Sequence, residues 1–304
     1  MSGAVNSGAA IDRFIRHLAT EKGLSDAYQV SVRRSLERFA GWLSAEGVSP
    51  WGNVAIDHLS RYLAHRRKGE GVAASSLRVE LIALKIFFRF LAARGEIPED
   101  VADKIDAPRV ERYLPDTLAE PAIRGLLESI DTGTPLGRRD RAILELLYAS
   151  GLRVSELTGA RMENLHLEEG VIRVTGKGNK TRLVPVGKAA LRALRDYIDH
   201  ERPALALRNP RTESEVFLSQ HGKKLTTTRI WQIVKTRAKR AGIDANVYPH
   251  LMRHSFATHM LENGADLRVI QELLGHADIA TTQIYTHVDQ RHLRRVHKQF
   301  HPRG

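Results

Sequence analysis

Tyr285 lies in a short run of histidine and hydroxyl-bearing residues, LGHADIATTQIYTH, which spans residues 274–287. The ordinary interpretation of this tyrosine is a buried ring whose hydroxyl has a hydrogen-bond partner, and the alternative is a nucleophile. His276 and His287 flank Tyr285, and a histidine ring can give or take a proton near neutral pH. The run by itself is compatible with both uses, and other charged groups of the chain must distinguish them.

A second group, HLMRHSFATHM, begins at residue 250 and places His250 and Arg253 three residues apart. On a helix this spacing puts both on one face, while Met252 and Phe256 point into the core. His250 and His254 have the i, i+4 spacing of a zinc helix, but no acidic residue lies between them and Arg253 would repel a cation. The group therefore disfavours a metal and favours an anionic ligand, with a solvated helix face as the alternative.

Two further basic residues stand at expected helix and hairpin ends. In GLRVSEL, Gly151 is placed to end one helix and Arg153 to begin the next. An arginine there opposes the helix dipole unless it holds an anion, and Glu156, one turn later, could orient it. Lys177 lies at the tip of a predicted hairpin, TGKGNKTR, and a β-ribbon of this kind can reach into a DNA groove. A surface ion pair and a soluble turn are the ordinary alternatives.

The first part of the chain is predicted to consist of helices. Apolar residues at helical spacing predict four of them, at Ile11–Leu18, from Ser25 to Gly47, at about Asp57–Arg67 and from about Ser76 to Gly95. Ser25 is expected to cap the second helix, and Tyr28 to lie on its buried stripe. Between about Pro98 and Pro115, prolines and dense charge break the periodicity, which predicts an interdomain linker.

Helices resume after the linker, with one β element among them. Val171–Thr175 and Arg182–Val186 alternate as two strands joined by a glycine-containing turn. The predicted helices are Arg139–Ala149, His250–Asn263, Leu267–Leu274 and Asp289–Phe300, of which the first three end at Gly151, Gly264 and Gly275. The sequence thus predicts a mainly α chain with a small antiparallel β element, divided into domains at 5–98 and 115–304 by a linker at 99–114.

The excess of positive charge lies mainly in the second part of the chain, residues 115–304. Lys and Arg number 47 and Asp and Glu 35, for a net charge of +12. Residues 1–114 carry 17 basic and 14 acidic groups, a net of +3, and residues 115–304 carry 30 and 21, a net of +9. Such an excess suits a polyanion such as nucleic acid. The chain has no cysteine, signal-peptide pattern or long apolar run, which predicts a cytoplasmic protein without disulfides or Cys-ligated zinc.

Taken together, the blocks at 151–157, 176–178, 250–259 and 274–287 resemble the signature blocks of the tyrosine site-specific recombinases. The segment PHLMRHSFATHMLENGADLRVIQELLGHADIATTQIYTHV resembles the bacterial Xer group almost residue for residue, and the tail VHKQFHPRG is more similar to the XerD than the XerC branch. Met252 stands where leucine is commoner in that group, at a core-facing position that tolerates a swap of equal volume.

The resemblance implies a role for each candidate residue. Tyr285 would be the nucleophile, and Arg153 and Arg253 would hold the scissile phosphate. The remaining roles would fall to His250 (proton transfer and phosphate contact), His276 (a hydrogen bond to a non-bridging oxygen), Lys177 (protonation of the leaving 5′-hydroxyl) and Glu156 (support of the site).

It also implies an architecture and a function. A four-helix SAM-like core-binding domain and a mixed α/β catalytic domain would form a C-shaped clamp on double-stranded DNA. The enzyme would cut and rejoin a specific site through a 3′-phosphotyrosyl intermediate, without cofactor or metal, and resolve chromosome dimers at cell division. The implied partners are a related recombinase, in a homo- or hetero-tetramer with C-terminal segments docked in trans, and an FtsK-type DNA translocase.

Three alternatives remain at this point. A phage, integron or transposon integrase and a type IB topoisomerase would use the same chemistry. A non-catalytic DNA-binding relative would be expected to have lost the tyrosine or an arginine, and the chain retains all of them.

Overall fold

The computed structural model describes residues 7–22, 24, 26–49, 51–105, 117–176, 181–209, 211, 214–275 and 287–304, with the backbone alone at 7 and 287–291. Contacts divide the chain into two compact units, Met1–Arg112 and Tyr113–Gly304. Across the described ranges, no helix combines the length and apolar character that a membrane span requires.

In the described part of the first unit there are four α-helices: α1 (Ser7–Thr20), α2 (Asp26–Ala45), α3 (Ile56–Ala64), which continues as a π-helical turn to Gly69, and α4 (Ala74–Ala93). The four predicted helices are therefore confirmed. Their core is aromatic, with Phe14, Phe39, Phe87 and Phe88 each 0–1% exposed. Edge-to-face contacts join these rings, such as Phe14 to Phe87 at 5.3 Å between centroids, and such contacts add to the burial of apolar area.

Tyr28 does not lie in this core, and the expectation of its burial was wrong. The buried stripe of α2 consists of Val32, Leu36, Phe39 and Leu43, and Tyr28 precedes it by one turn with 38% of its surface exposed. Its ring has a polar tip that tolerates water, so exposure at a helix start costs little. Ser25, the expected cap of this helix, lies outside the described residues.

The segment that follows α4, residues 97–105, is better packed than its sequence pattern predicts. Ile97, Ala102 and Ile105 are at most 9% exposed and belong to the core of the first unit. These anchors are five and three residues apart and alternate with charged residues, so they produce no helical or strand period. Residues 106–116, which include the rest of the predicted linker, lie outside the described part of the chain.

The second unit contains nine α-helices and three strands within its described residues. They are α5 (Glu120–Glu128), α6 (Gly137–Ser150), α7 (Val154–Thr158), β1 (Leu165–His166), β2 (Val171–Thr175), β3 (Thr181–Pro185), α8 (Lys188–His200), α9 (Arg202–Ala206), α10 (Thr227–Arg240), α11 (Pro249–Glu262), α12 (Leu267–Leu274) and α13 (His287–Phe300). The strands form an antiparallel sheet in the order β1-β2-β3, in which Val171 pairs with Pro185 and Thr175 with Thr181. Of the three strands, β1 was not predicted, because two residues are too few to show an alternation. The helices α5, α8, α9 and α10 were not predicted either.

Helix α6 runs through the middle of this unit. Every residue from Ala142 to Ser150 is buried, and α8 and α11 pack against it. Gly151 ends the helix in the left-handed conformation, with φ of 57°, and its N–H donates to the Leu147 carbonyl. A Cβ at Gly151 would lie 2.5 Å from Cδ1 of Phe256, so this turn is closed by backbone alone.

Gly151→Ala is expected to lower the free energy of unfolding by about 2–4 kcal/mol, because it adds a left-handed alanine and forces Phe256 aside. Gly242→Ala is the matched control, since Gly242 has φ of 73° but nothing within 4 Å of an added Cβ. Denaturant unfolding should show a loss of only about 1–2 kcal/mol in the control, the cost of a left-handed alanine without a clash. Equal losses in the two variants would contradict the packing argument.

The C-terminal segment packs against its own unit. Helix α13 contacts α11, α12 and β3, with Leu293 and Val296 in the core. Beyond it, Arg303 makes a two-pronged ion pair with the buried carboxylate of Glu145, at 2.9 and 2.6 Å. These contacts hold the tail in cis on the single chain.

Two histidines of this tail are buried in a column of rings. His297 and His301 stack at 4.8 Å between centroids, and Tyr148 contacts His301 at the same distance. Nε2 of His297 lies 2.6 Å from the Ala149 carbonyl, to which it donates. Burial lowers the pKa of His297, and burial together with the charge of His297 lowers the pKa of His301 well below its ordinary value.

These shifts predict that acid destabilises the second unit. Because the folded-state pKa values lie below 6.5, the unfolded chain binds more protons, and stability falls as pH drops below about 6.5. Each histidine contributes at most about 1.4 kcal/mol per pH unit. His301→Asn keeps an acceptor for the Arg303 N–H and should show a shallower loss between pH 7 and 5.5 in denaturant unfolding. A slope unchanged from the wild-type protein would refute the assignment.

Candidate active site

Arg253 lies on α11 with 9% of its surface exposed. Its guanidinium donates to two backbone carbonyls, that of Gly151 and, at 2.8 Å, that of Leu274. Burial lowers the pKa of Arg253 to about 10, and the charges of Arg153 and Arg182 act in the same direction, whereas Glu156 opposes them. The side chain therefore stays protonated at neutral pH, as a buried cation whose position is set by two helix ends.

Arg153 precedes α7 as its N-cap residue, with extended backbone. Its own N–H donates to Oε2 of Glu156 at 2.8 Å, and its guanidinium donates to Oε1 at 3.0 Å. A third bond runs from Nη2 to the Gly275 carbonyl at 3.0 Å. The Arg153–Glu156 pair expected from the sequence is thus present, and 36% of the Arg153 side chain remains open to solvent.

Glu156 is a carboxylate that Arg153 and Arg182 share. Only 3% of its side chain is exposed, and Arg182 from β3 grips both oxygens, at 2.7 and 3.0 Å. Burial raises the pKa of Glu156, but the hydrogen bonds and charge of Arg182, with those of Arg153, outweigh it and leave the pKa below its ordinary value. Glu156 is therefore ionised at neutral pH and can orient both guanidiniums.

The C-terminal end of α12 is the second point at which the arginines meet. The last carbonyls of a helix have no partner within it and form the negative end of its dipole. Three successive carbonyls here accept from three different guanidiniums: Leu273 from Arg182 at 3.1 Å, Leu274 from Arg253 at 2.8 Å and Gly275 from Arg153 at 3.0 Å. The three cations are thereby grouped at the point where the chain enters the segment of His276 and Tyr285.

His250 lies in the first turn of α11, exposed, on the same helix as Arg253. Its ring faces that of Trp231 edge-on at 6.4 Å. Trp231 in turn stacks on Tyr248, at 5.3 Å and 4° between planes. The aromatic pair supports His250 at the surface, one turn from the buried guanidinium.

The structure brings together Arg153, Glu156 and Arg253, while Lys177, His276 and Tyr285 lie outside the described residues. In the chain, Lys177 comes two residues after β2, and His276 directly follows Gly275. The catalytic roles of all seven candidate residues stay predictions from the sequence.

Arg182 is the residue that the sequence analysis missed. In the alternation of its strand it shares a face with Val184 and Val186, both fully buried. A charged side chain at a core-facing strand position requires a buried partner, because an unpaired buried charge is very costly. An arginine on the core-facing side of a strand was therefore the sequence feature that could have identified Arg182 as part of the site.

The guanidiniums of Arg153 and Arg253 form a site that can bind an anion through hydrogen-bond donors held in fixed positions. Within the described contacts, two of the five N–H donors of Arg153 and two of those of Arg253 are used. Planar guanidiniums hold phosphate oxygens through paired hydrogen bonds, and their charge does not vary near neutral pH. The arrangement can therefore compensate negative charge that develops on a bound phosphodiester.

Residues 116–292 match the family described as "Phage integrase family", and residues 11–95 match "Phage integrase, N-terminal SAM-like domain". The chain is 44% identical over 296 residues to tyrosine recombinase XerD of Listeria monocytogenes, covering 97% of this chain and 99% of the relative. It is 43% identical over 297 residues to tyrosine recombinase XerD of Pseudomonas putida, covering 97% of each chain.

The chain therefore belongs to the phage integrase family of tyrosine recombinases, enzymes of site-specific DNA strand exchange. Within that family it is Xer-like, and the two relatives above are XerD sequences, as the signature blocks and the tail predicted.

Solved structures agree on the fold. XerH recombinase bound to a palindromic difH substrate superposes with a TM-score of 0.70 at 22% identity, over 96% of this chain and 84% of that one. The Tn1549 transposon integrase gives 0.71 at 18% identity, over 94% and 98%. These similarities confirm the predicted fold class, a helical SAM-like domain and a mixed α/β catalytic domain.

Proposed function

We propose that this chain binds double-stranded DNA at a specific site and cleaves it with Tyr285, while Arg153 and Arg253 hold the scissile phosphate. The observation that supports this most directly is the convergence of both arginines on the end of α12, at 2.8 and 3.0 Å, just before the segment that carries Tyr285. The proposal rests on these contacts together with the family to which the chain belongs.

The proposed cleavage step is a transesterification. The Tyr285 oxygen bonds to phosphorus, the bond to the 5′-oxygen breaks, and a 3′-phosphotyrosyl link and a free 5′-hydroxyl result. His250 takes part in moving the tyrosine proton, Lys177 donates one to the leaving oxygen, and His276 hydrogen-bonds a non-bridging oxygen. Since the phosphodiester energy is kept in the new bond, a second 5′-hydroxyl can attack it and release Tyr285 without ATP.

The two guanidiniums supply the electrostatic part of catalysis in this proposal. Charge increases on the non-bridging oxygens during attack, and preorganised donors stabilise that charge more than they stabilise the ground state. A free tyrosine hydroxyl has a pKa near 10, and a positive field favours its ionised form. Glu156 orients Arg153 without touching the phosphate, because both of its oxygens are already occupied by arginine donors.

Recombination further requires two duplexes in one assembly. A lambda integrase structure is described as a tetramer bound to a Holliday junction, and the XerH structure as a post-cleavage complex. By extension, we propose that the present chain acts in the cytoplasm as a homo- or hetero-tetramer. Its core-binding domain at 5–98 and its catalytic domain at 115–304, joined by a linker at 99–114, would close on DNA as a C-shaped clamp. Resolution of chromosome dimers, with an FtsK-type translocase as partner, is the proposed biological role.

Docking of the C-terminal segment in trans would have to release the cis contacts of the tail. The Arg303–Glu145 ion pair and the burial of His297 and His301 would then be remade on a neighbouring subunit. Truncation after residue 288 is a poor test of this exchange, because it would also uncover Tyr148 and Phe256 in the catalytic unit.

A DNA duplex carrying the recombination site and a nick near the cut tests the proposed chemistry, because loss of the short fragment prevents religation. The wild-type protein should accumulate a covalent adduct, and peptide mass spectrometry should place a 3′-linked nucleotide on Tyr285. Chelators should leave the yield unchanged. No adduct, or an adduct on another residue, would overturn the proposal, and adduct formation on any duplex irrespective of sequence would favour a topoisomerase.

A further inference from the structure

The guanidinium of Arg182 makes three hydrogen bonds inside the protein, although Arg182 has none of the proposed catalytic roles. Its side chain is 7% exposed. Two donors reach the two oxygens of Glu156, at 2.7 and 3.0 Å, and Nε donates to the Leu273 carbonyl at 3.1 Å. One planar group thus joins three elements, namely β3, α7 and the end of α12.

We propose that Arg182 is a positioning residue for strand cleavage, which fixes the Glu156 carboxylate so that Arg153 faces the phosphate and ties β3 to the end of α12. This inference rests on the proposed function. Arg182 acts chiefly through Glu156, the bond to the Leu273 carbonyl holds its guanidinium in place, and it does not touch the substrate.

The shared carboxylate is the first argument for this role. Each oxygen of Glu156 serves both arginines: Oε1 accepts from the guanidiniums of Arg153 and Arg182, and Oε2 accepts from the Arg153 N–H and from Arg182. Loss of Arg182 would remove two of these four bonds from a carboxylate that is 3% exposed. The carboxylate would then rotate toward Arg153 or take up a proton, and either change would alter the direction of the Arg153 guanidinium.

The shape of the space around Arg182 is the second argument. Gly275, with φ of 67°, lies close to the Arg182 guanidinium. A Cβ added to Gly275 would be 2.9 Å from Cζ and from Nη1 of Arg182. A flat group with donors in one plane fits between Gly275 and Glu156. A lysine ammonium provides the charge without the fork, so it cannot hold both carboxylate oxygens and the Leu273 carbonyl together. Specificity for arginine at this position follows from geometry rather than from charge alone.

Single-turnover cleavage of the nicked substrate, at saturating DNA, tests the role. Arg182→Lys and Arg182→Gln should bind DNA within about threefold of wild type and cleave about 10–100-fold more slowly, a typical effect of groups that orient a functional residue. Arg173→Gln is the matched control, because Arg173 is exposed on the adjacent strand and the charge change is the same. It should cleave at the wild-type rate once DNA is saturating.

Two further readouts separate positioning from a general loss of structure. Weaker pairing raises the pKa of Glu156, so the acid limb of the cleavage rate should move to higher pH in Arg182→Gln. In a Glu156→Gln background, Arg182→Gln should slow cleavage far less than in the wild-type background, because the group through which it acts is already neutral. Circular dichroism would show that the variants are folded, and Arg182→Lys keeps the charge if the glutamine variant is not.

The outcomes distinguish this inference from the proposed function. If the wild-type protein forms no adduct on Tyr285, the proposed function fails. If the wild-type adduct forms and both Arg182 variants cleave at the wild-type rate, the inference fails. An equal loss in the wild-type and Glu156→Gln backgrounds would also overturn it, since Arg182 would then act independently of Glu156.

Discussion

Tyr285→Phe is expected to abolish the covalent protein–DNA adduct while leaving DNA binding nearly unchanged. The change removes one oxygen atom, and with it the only group proposed to attack phosphorus. Loss of a nucleophile of this kind lowers the rate by on the order of 10⁶-fold, which in this assay means no detectable adduct. The nicked substrate resolved on a denaturing gel gives the yield, and a mobility-shift titration gives the affinity.

Tyr248→Phe is the matched control for that experiment. Tyr248 stacks on Trp231 beside His250, and phenylalanine keeps the stacked ring while it removes the hydroxyl. The control should form adduct at close to the wild-type rate. Adduct formation by Tyr285→Phe at a comparable rate would show that another residue is the nucleophile, and the proposed mechanism would have to be abandoned.

Arg253→Ala is expected to slow cleavage at saturating DNA by about 10²–10³-fold, the usual effect of removing one preorganised donor to a developing oxyanion. The same change leaves the Gly151 and Leu274 carbonyls without their partner, which should lower the free energy of unfolding by about 1–3 kcal/mol. Arg253→Lys restores charge without the planar fork and should recover only part of the rate. Single-turnover kinetics and denaturant unfolding measure the two effects separately.

Arg268→Ala provides the comparison for the arginine series, because Arg268 is an exposed residue at the start of α12. It should cleave at the wild-type rate with unchanged stability. A rate for Arg253→Ala within a few-fold of the wild-type value would contradict the assignment of Arg253 to the phosphate. A loss of affinity with no loss of rate at saturation would make it a DNA-binding residue only.

Local patterns in the sequence were sufficient for much of the fold. The predicted ends of α6 and α12 at Gly151 and Gly275 are confirmed, because a left-handed residue after a helix is nearly always glycine. The two main strands are found within one residue of prediction. The anchoring of Ile105 in the first core was not predictable, because contacts between distant segments leave no period in the sequence.

The same division applies to the candidate site. The Arg153–Glu156 pair joins residues three apart across one helix turn, and spacing alone predicts it. The Arg182–Glu156 pair joins residues 26 apart on a strand and a helix, so only the fold reveals it. The acceptors for Arg253 are backbone carbonyls, which every residue type provides and which no side-chain motif can therefore indicate.

Because α12 contributes backbone carbonyls rather than side chains to the arginine cluster, its tolerance of sequence change should be uneven. Substitutions at residues 273 and 274 that keep the helix leave the three acceptors in place. One inserted residue would turn the helix end by about 100° relative to its own buried face and move every acceptor away from its guanidinium at once. Apart from its buried residues and Gly275, this helix should thus vary more among natural variants in residue identity than in length.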